Sequence, residues 1–163
     1  MIEPLTKQFT VDCNRAAAFA LWTEHTTLWW PKSHKMTQDP SAVVRFEPRL
    51  GGRIYERASD GREIDWGEIV VWEPPERLAY WWHIGADRQD ATRVEIRFSS
   101  LDTQMTVVEI VHSGWERLGD KGQSWRDRNS SGWARVVPPF QEACRDAAGG
   151  PRVSAPGPAA LNL

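Results

Sequence analysis

Two ionisable residues fall where strand alternation turns them inward, and both have the chemistry to act there: Glu56 and His112. His112 ends the run MTVVEIVH, whose Glu109 must face water, so Thr106, Val108, Ile110 and His112 share the inner face. An imidazole in that position is either a hydrogen-bonded core residue or the group that orients a ligand or acts as a general acid or base near neutral pH. Glu56 has the parity of Ile54 in RIYERA and turns inward with it. Buried alone it would be costly, so Arg53, a tyrosine or water must stand beside it, and a structural salt bridge is the alternative to a ligand anchor. Asp65 has no fixed side, because Gly67 permits a bulge that resets the register. No serine or cysteine has an evident base as partner, so no nucleophilic relay and no catalytic residue are assigned. His25, His34 and His83 lie on separate elements without metal-ligand spacing. RLGGR lacks the phosphate-loop fingerprint and leads into a strand. No metal and no cofactor are expected.

The aromatic residues raise the second chemical question. LAYWWHIG reads as a strand, so Trp81 and Trp82 point to opposite faces, with Tyr80 on the face of Trp82. An outward Trp81 is packing unless other exposed rings adjoin it, in which case a homodimer contact is expected. A second pair, Trp29-Trp30, precedes PKSH. The chain holds ten tryptophans, each able to bury on the order of 150–250 Å², so several must fill the interior or wall a cavity. An empty hole of roughly 300 Å³ would cost about 7 kcal/mol, so the interior must be wet, ligand-filled or closed by bulky rings.

These residues need a scaffold, and the remaining pattern supplies one. IEPLTKQFTV reads as a strand; DCN offers caps to an amphipathic helix in RAAAFALWT, and TTLWW adds a short turn stopped by Pro31. AVVRFEP, RIYERA, EIDWGEIVVW, RLAYWWHI, TRVEIRF and MTVVEIVH follow as strands, with SDG as a hairpin turn. TRVEIRF alternates most clearly, as a half-wet antiparallel sheet requires. Trp133, Val137, Phe140, Cys144 and Ala147 then form one helical stripe, capped by SSG and ended by Gly149-Gly150. Pro138-Pro139 predict a kink or break within it. The expected fold is α+β: a twisted antiparallel sheet of six or seven strands wrapped around a long C-terminal helix, with two short helices after the first strand. Residues 1–148 form one domain, and 149–163, rich in Pro, Gly and Ala, form a disordered tail.

The totals exclude whole classes. A chain of 163 residues with net charge −2 offers no phosphate-binding surface, and GDKGQSWRDR mixes signs as a solvated loop or helix face does, so no nucleic acid is expected. Cys13 and Cys144 form no C-x-x-C pair, which argues against a disulfide framework and fits a reducing cytoplasm. No leader and no apolar run of spanning length appear, so a cytoplasmic protein without membrane insertion is expected.

With FEPRLGGRIYER, SDGREIDWGEIVVWEPPERLAYWW, TRVEIRF and VVEIVHSGWERLG in place, residues 3–147 resemble the bacterial activator of heat shock protein 90 ATPase homologue family, within the START-related, birch-pollen-allergen-like (SRPBCC) superfamily. The resemblance implies a helix-grip fold with an elongated cavity between sheet and terminal helix, and it places Tyr80 and Trp82 inward and Trp81 outward. It also implies carriage of apolar molecules in most members, cyclisation or similar chemistry in a minority, and a co-chaperone role in the eukaryotic namesake. The leading expectation is a non-catalytic module that binds a small apolar or aromatic molecule. Tyr55, Trp66, Tyr80, Trp82, Phe98, Ile110 and Trp133 serve as walls, with His112 and Glu56 as polar anchors. The alternatives are a partner of a heat-shock ATPase, and a cyclase- or hydrolase-like enzyme using His112 with a carboxylate.

Overall fold

Alternation of apolar and polar side chains builds a seven-stranded antiparallel sheet. The structure is a computed structural model and describes residues 1–149, so the expected tail beyond Gly149 lies outside the described residues. The strands are β1 (Leu5–Val11), β2 (Val43–Phe46), β3 (Arg53–Arg57), β4 (Glu63–Glu73), β5 (Arg77–Trp82), β6 (Thr92–Asp102) and β7 (Met105–Ser113). Their order across the sheet is β1-β7-β6-β5-β4-β3-β2. Two helices, α1 (Arg15–Thr23) and α2 (Thr26–Trp29), follow β1, and α3 (Gly122–Ala147) closes the chain. Asn14 caps α1 by accepting from the Ala17 N–H at 2.8 Å.

One face of the sheet is apolar and grips α3. Ile96, Phe98, Val108, Ile110, Leu78 and Tyr80 share a buried cluster with Trp133, Val136, Phe140 and Cys144 of the helix. The other face carries ion pairs: Glu95 meets Arg77, Arg93 and Arg97, and Arg53 meets Asp65 and Glu63. Such exposed pairs add little stability each, but they keep that face wet. It also holds two rings beneath guanidinium groups, Tyr55 with Arg53 at 4.1 Å and Trp81 with Arg117 at 4.9 Å.

The bulge that Gly67 permits is present. Ile54 pairs with Gly67 and Tyr55 with Asp65, which leaves Trp66 without a partner on β3. A Cβ on Gly67 would lie 2.1 Å from the Trp81 carbonyl oxygen, so only glycine permits this close approach. The extra residue turns Trp66 into the core while Asp65 stays on the wet face, bonded to Arg53 at 2.7 Å.

The terminal helix departs from the sequence reading in three respects. It begins at Gly122, so Ser130-Ser131-Gly132 lie inside it and do not cap it. Its buried stripe runs through Trp133, Val136, Phe140, Ala143 and Cys144, with Val137 half-buried and Ala147 exposed. It also runs through Pro138 and Pro139. Each proline removes a bond to the carbonyl four residues earlier, here Ala134 and Arg135, which are exposed and open to water.

The two cysteines, distant in sequence, meet where the end of α3 crosses the end of β1. Arg145 pairs with Asp12 at 3.8 Å and Gln141 donates to the Thr10 carbonyl at 3.1 Å. Both thiols are free and buried, and they hydrogen-bond to each other. That bond lowers the Cys13 thiol and raises Cys144, which burial raises further. Both should resist dithionitrobenzoate in the native protein and react together on unfolding, followed by absorbance. Rapid native reaction of either would contradict this packing.

Candidate functional site

His112 is the best-satisfied group of the interior. Its side chain is fully buried on β7. The Trp133 indole N–H donates to its Nδ1 at 3.0 Å. That nitrogen is therefore the acceptor of the neutral tautomer, and the proton sits on Nε2, which faces Thr92 Oγ1 at 2.7 Å. Trp115 packs tilted against the ring at 4.2 Å between centroids and donates its own N–H to the His112 carbonyl at 3.0 Å. Burial pushes the imidazole down to about 3, so it is uncharged at neutral pH. Both ring nitrogens are committed to holding α3 and β6 against β7, leaving none free for a substrate proton.

Glu56 is equally committed, at the other side of the sheet. Its carboxylate accepts from the Met36 N–H at 2.7 Å and the Thr37 N–H at 2.9 Å, and also from the Thr37 hydroxyl. It thereby pins the segment between α2 and β2. Lys35, buried beside it, donates to the Ala42 carbonyl at 2.7 Å, and its ammonium is pushed down chiefly by burial. Glu56 on β3 and His112 on β7 are four strands apart, roughly 19 Å along the sheet. They do not converge on one site.

The remaining nominated residues divide by face. Trp66, Tyr80, Trp82, Phe98, Ile110 and Trp133 join one buried cluster, whereas Tyr55 lies on the wet face under Arg53. Trp22 of α1 and Trp29 and Trp30 at α2 fill the space between them. Ring centroids lie 4.9 Å apart for Trp22 and Trp29, 5.7 Å for Trp29 and Trp30, and 5.2 Å for Trp30 and Trp66. Trp82 then lies 5.7 Å from Trp66. Tyr80 accepts from Trp22 and is raised by burial.

What remains open is a cavity of about 50 Å³ between sheet and helix, lined by Trp30, His34, Trp82, Ile84, Asn129, Gly132, Trp133 and Val136. Only Trp82 and Trp133 among these were nominated from the sequence. Trp30 and His34 sit on the segment that Glu56 pins, and the Trp30 indole donates to the His34 carbonyl at 3.2 Å. Burial, helped by Arg135, lowers His34, which favours its neutral form. Gly132 presents open space: a Cβ there would meet nothing within 4 Å.

A larger cleft, about 450 Å³, opens on the wet face around Trp81, with Arg53, Asp65, Glu68, Arg88 and Arg117 on its walls. Its carboxylates are already neutralised, Asp65 by Arg53 and Glu68 by Arg88. The inner cavity is smaller, but it combines three tryptophan rings with a few polar groups and no charged carboxylate or guanidinium, the composition of small-molecule sites. Among the described residues, no three His, Cys, Asp or Glu side chains gather as metal ligands do, and no helix is long and apolar enough to cross a membrane.

The family described as Activator of Hsp90 ATPase homolog 1-like protein matches residues 12–143. Among solved structures, an anthrahydroquino-gamma-pyrone synthase is 30% identical, with 86% of this chain and 96% of that one covered and a TM-score of 0.61. A self-sacrificing resistance protein from Micromonospora echinospora is 24% identical over 89% and 96%, with a TM-score of 0.66. The Aha1 dimer from Colwellia psychrerythraea is 13% identical over 88% and 96%, with a TM-score of 0.63. The last two share the helix-grip architecture. No curated protein sequence matches the chain.

The state of His112 gives a pH signature. Its folded value lies below its ordinary 6.5, so its stabilisation is complete above pH 6.5 and is lost as the pH falls towards about 3. Urea unfolding from about pH 6.5 down to about pH 5 should show wild-type stability falling more steeply than that of His112→Gln. The excess slope should approach about 1.4 kcal/mol per pH unit. Parallel slopes would contradict a buried neutral imidazole.

Proposed function

Because this chain belongs to the Activator of Hsp90 ATPase homolog 1-like family, we propose that it binds a small, neutral, hydrophobic or aromatic molecule between sheet and terminal helix. The observation that carries this reading is the cavity walled by the rings of Trp30, Trp82 and Trp133, with His34 and Asn129 as polar lining groups. The 30% identical relative is named as a synthase of a fused-ring aromatic, which supports an aromatic occupant. A neutral occupant fits because a buried charge without a partner is expensive and no lysine, arginine, aspartate or glutamate lines the cavity.

Size sets the mechanism of entry. About 50 Å³ compares with roughly 30 Å³ for one water in the liquid and roughly 300–1,000 Å³ for a drug-sized site. An occupant therefore enters by displacing a ring. Trp82 is fixed in a central strand, and Trp133 is tied to His112. Trp30 follows a four-residue helix, and its indole bonds only to a carbonyl of its own segment. It is the ring with least to lose by moving.

Gly132 offers the test. Titration with a neutral planar aromatic such as fluorene should quench tryptophan emission saturably. Gly132→Leu, which fills open space and gains about 1 kcal/mol of helix propensity, should stay folded and lose about tenfold or more in affinity. Absence of quenching, or quenching that Gly132→Leu leaves unaltered, would overturn the proposal.

A further inference from the structure

Five interior indoles satisfy their N–H groups. Trp29 donates to the Leu21 carbonyl at 2.8 Å, Trp30 to His34, Trp115 to the His112 carbonyl and Trp133 to the His112 ring. Trp22 donates to the Tyr80 hydroxyl. Trp66 is fully buried, and its Nε1 has no acceptor. Among the described residues only one other buried side-chain nitrogen or oxygen shares that condition, His83 Nδ1. A buried donor left without a partner forfeits a hydrogen bond that water would have given it, and folded proteins rarely tolerate this.

The place of this donor is specific. Trp66 touches Trp30 at 5.2 Å and Trp82 at 5.7 Å between ring centroids, and those two rings wall the inner cavity. It stands one layer behind them. The bulge at Gly67 is what turns Trp66 to this side of the sheet. Displacement of Trp30, the step by which an occupant gains volume, also removes one of the two rings that both wall the cavity and touch Trp66.

We propose that Trp66 Nε1 is the recognition donor of the site, and that the preferred occupant is a planar aromatic molecule carrying a neutral hydrogen-bond acceptor, a ketone or quinone carbonyl. The proposal rests on the cavity reading above and adds to it a selectivity. A hydrocarbon of the same shape fills the space but leaves the donor unsatisfied. A carbonyl compound does both. The carboxylate of an aromatic acid would accept the same bond, but it would enter a lining without a lysine or arginine to neutralise it.

Fluorene and 9-fluorenone form a matched pair, alike in shape and differing in the acceptor. In the wild-type protein, calorimetric or fluorescence titration should find fluorenone bound about tenfold more tightly than fluorene, the effect of one net hydrogen bond. Trp66→Phe should remove that preference while leaving fluorene affinity within about twofold. Should Trp66→Phe fail to fold, the wild-type protein still decides the matter: the Trp66 indole N–H resonance, assigned through its contacts with Trp30 and Trp82, should move downfield with fluorenone and not with fluorene. Equal binding of the two probes, or an unmoved Trp66 resonance, would overturn the donor role while leaving the cavity reading intact. Binding of neither probe would overturn the cavity reading and this proposal with it.

Discussion

The bond from the Trp133 indole to His112 Nδ1 joins the terminal helix to the sheet, and the rest of the interior is arranged around it. It is a single neutral contact, but it is buried, so breaking it strands a donor on one side and an acceptor on the other. It sets how deep α3 lies over β7. The remaining volume, the placement of Val136 and Phe140, and the position of Gly132 at the cavity all follow from that depth. It also removes His112 from chemistry, since an imidazole with both nitrogens engaged and its charged form suppressed cannot exchange protons with a visitor.

A curved sheet gripping one helix encloses space, and a family built on this plan must either occupy that space or leave it for something else. Here aromatic rings occupy most of it. Trp22, Trp29, Trp30, Trp66 and Trp82 form an unbroken succession of ring contacts from α1 to β5. The arrangement spares the protein the cost of a large empty hole, which at about 24 cal/mol per Å³ would rival its whole stability. It also divides labour between elements. Rings on central strands are carried by the sheet ladder and Trp133 on α3 is bonded to His112, while Trp30 rides on a short segment held at its far end by Glu56. The carboxylate that looked like a ligand anchor instead fixes the segment carrying one.

Much of this was legible in the residues. Strand parity placed Ile96, Phe98, Ile110 and His112 on the inner face and put Tyr80 and Trp82 together on one side, which the family resemblance turned inward, and a strict period of two makes that inference strong. Parity also put Tyr55 opposite Ile54 and Glu56, although its ring was counted among the walls. The helix start was obscured because Ser130-Ser131-Gly132 resemble a cap, while Trp125, Asn129 and Trp133 already continue the stripe backwards at fours. The partners of Glu56 were not legible, because main-chain N–H groups of a loop twenty residues away carry no sequence signal. The cavity lining from His34, Ile84 and Asn129 was likewise a product of three elements meeting, which local patterns do not encode. The tail's expected disorder lies beyond the described residues.

The most direct measurement is a crystal structure of the protein soaked with a small fused-ring aromatic. On this account the molecule occupies space vacated by the Trp30 ring, between Trp82 and Trp133, with the Trp133–His112 bond unbroken and the sheet unmoved. Density for it in the outer cleft beside Trp81 and Arg117, over an interior left as it is, would contradict the account.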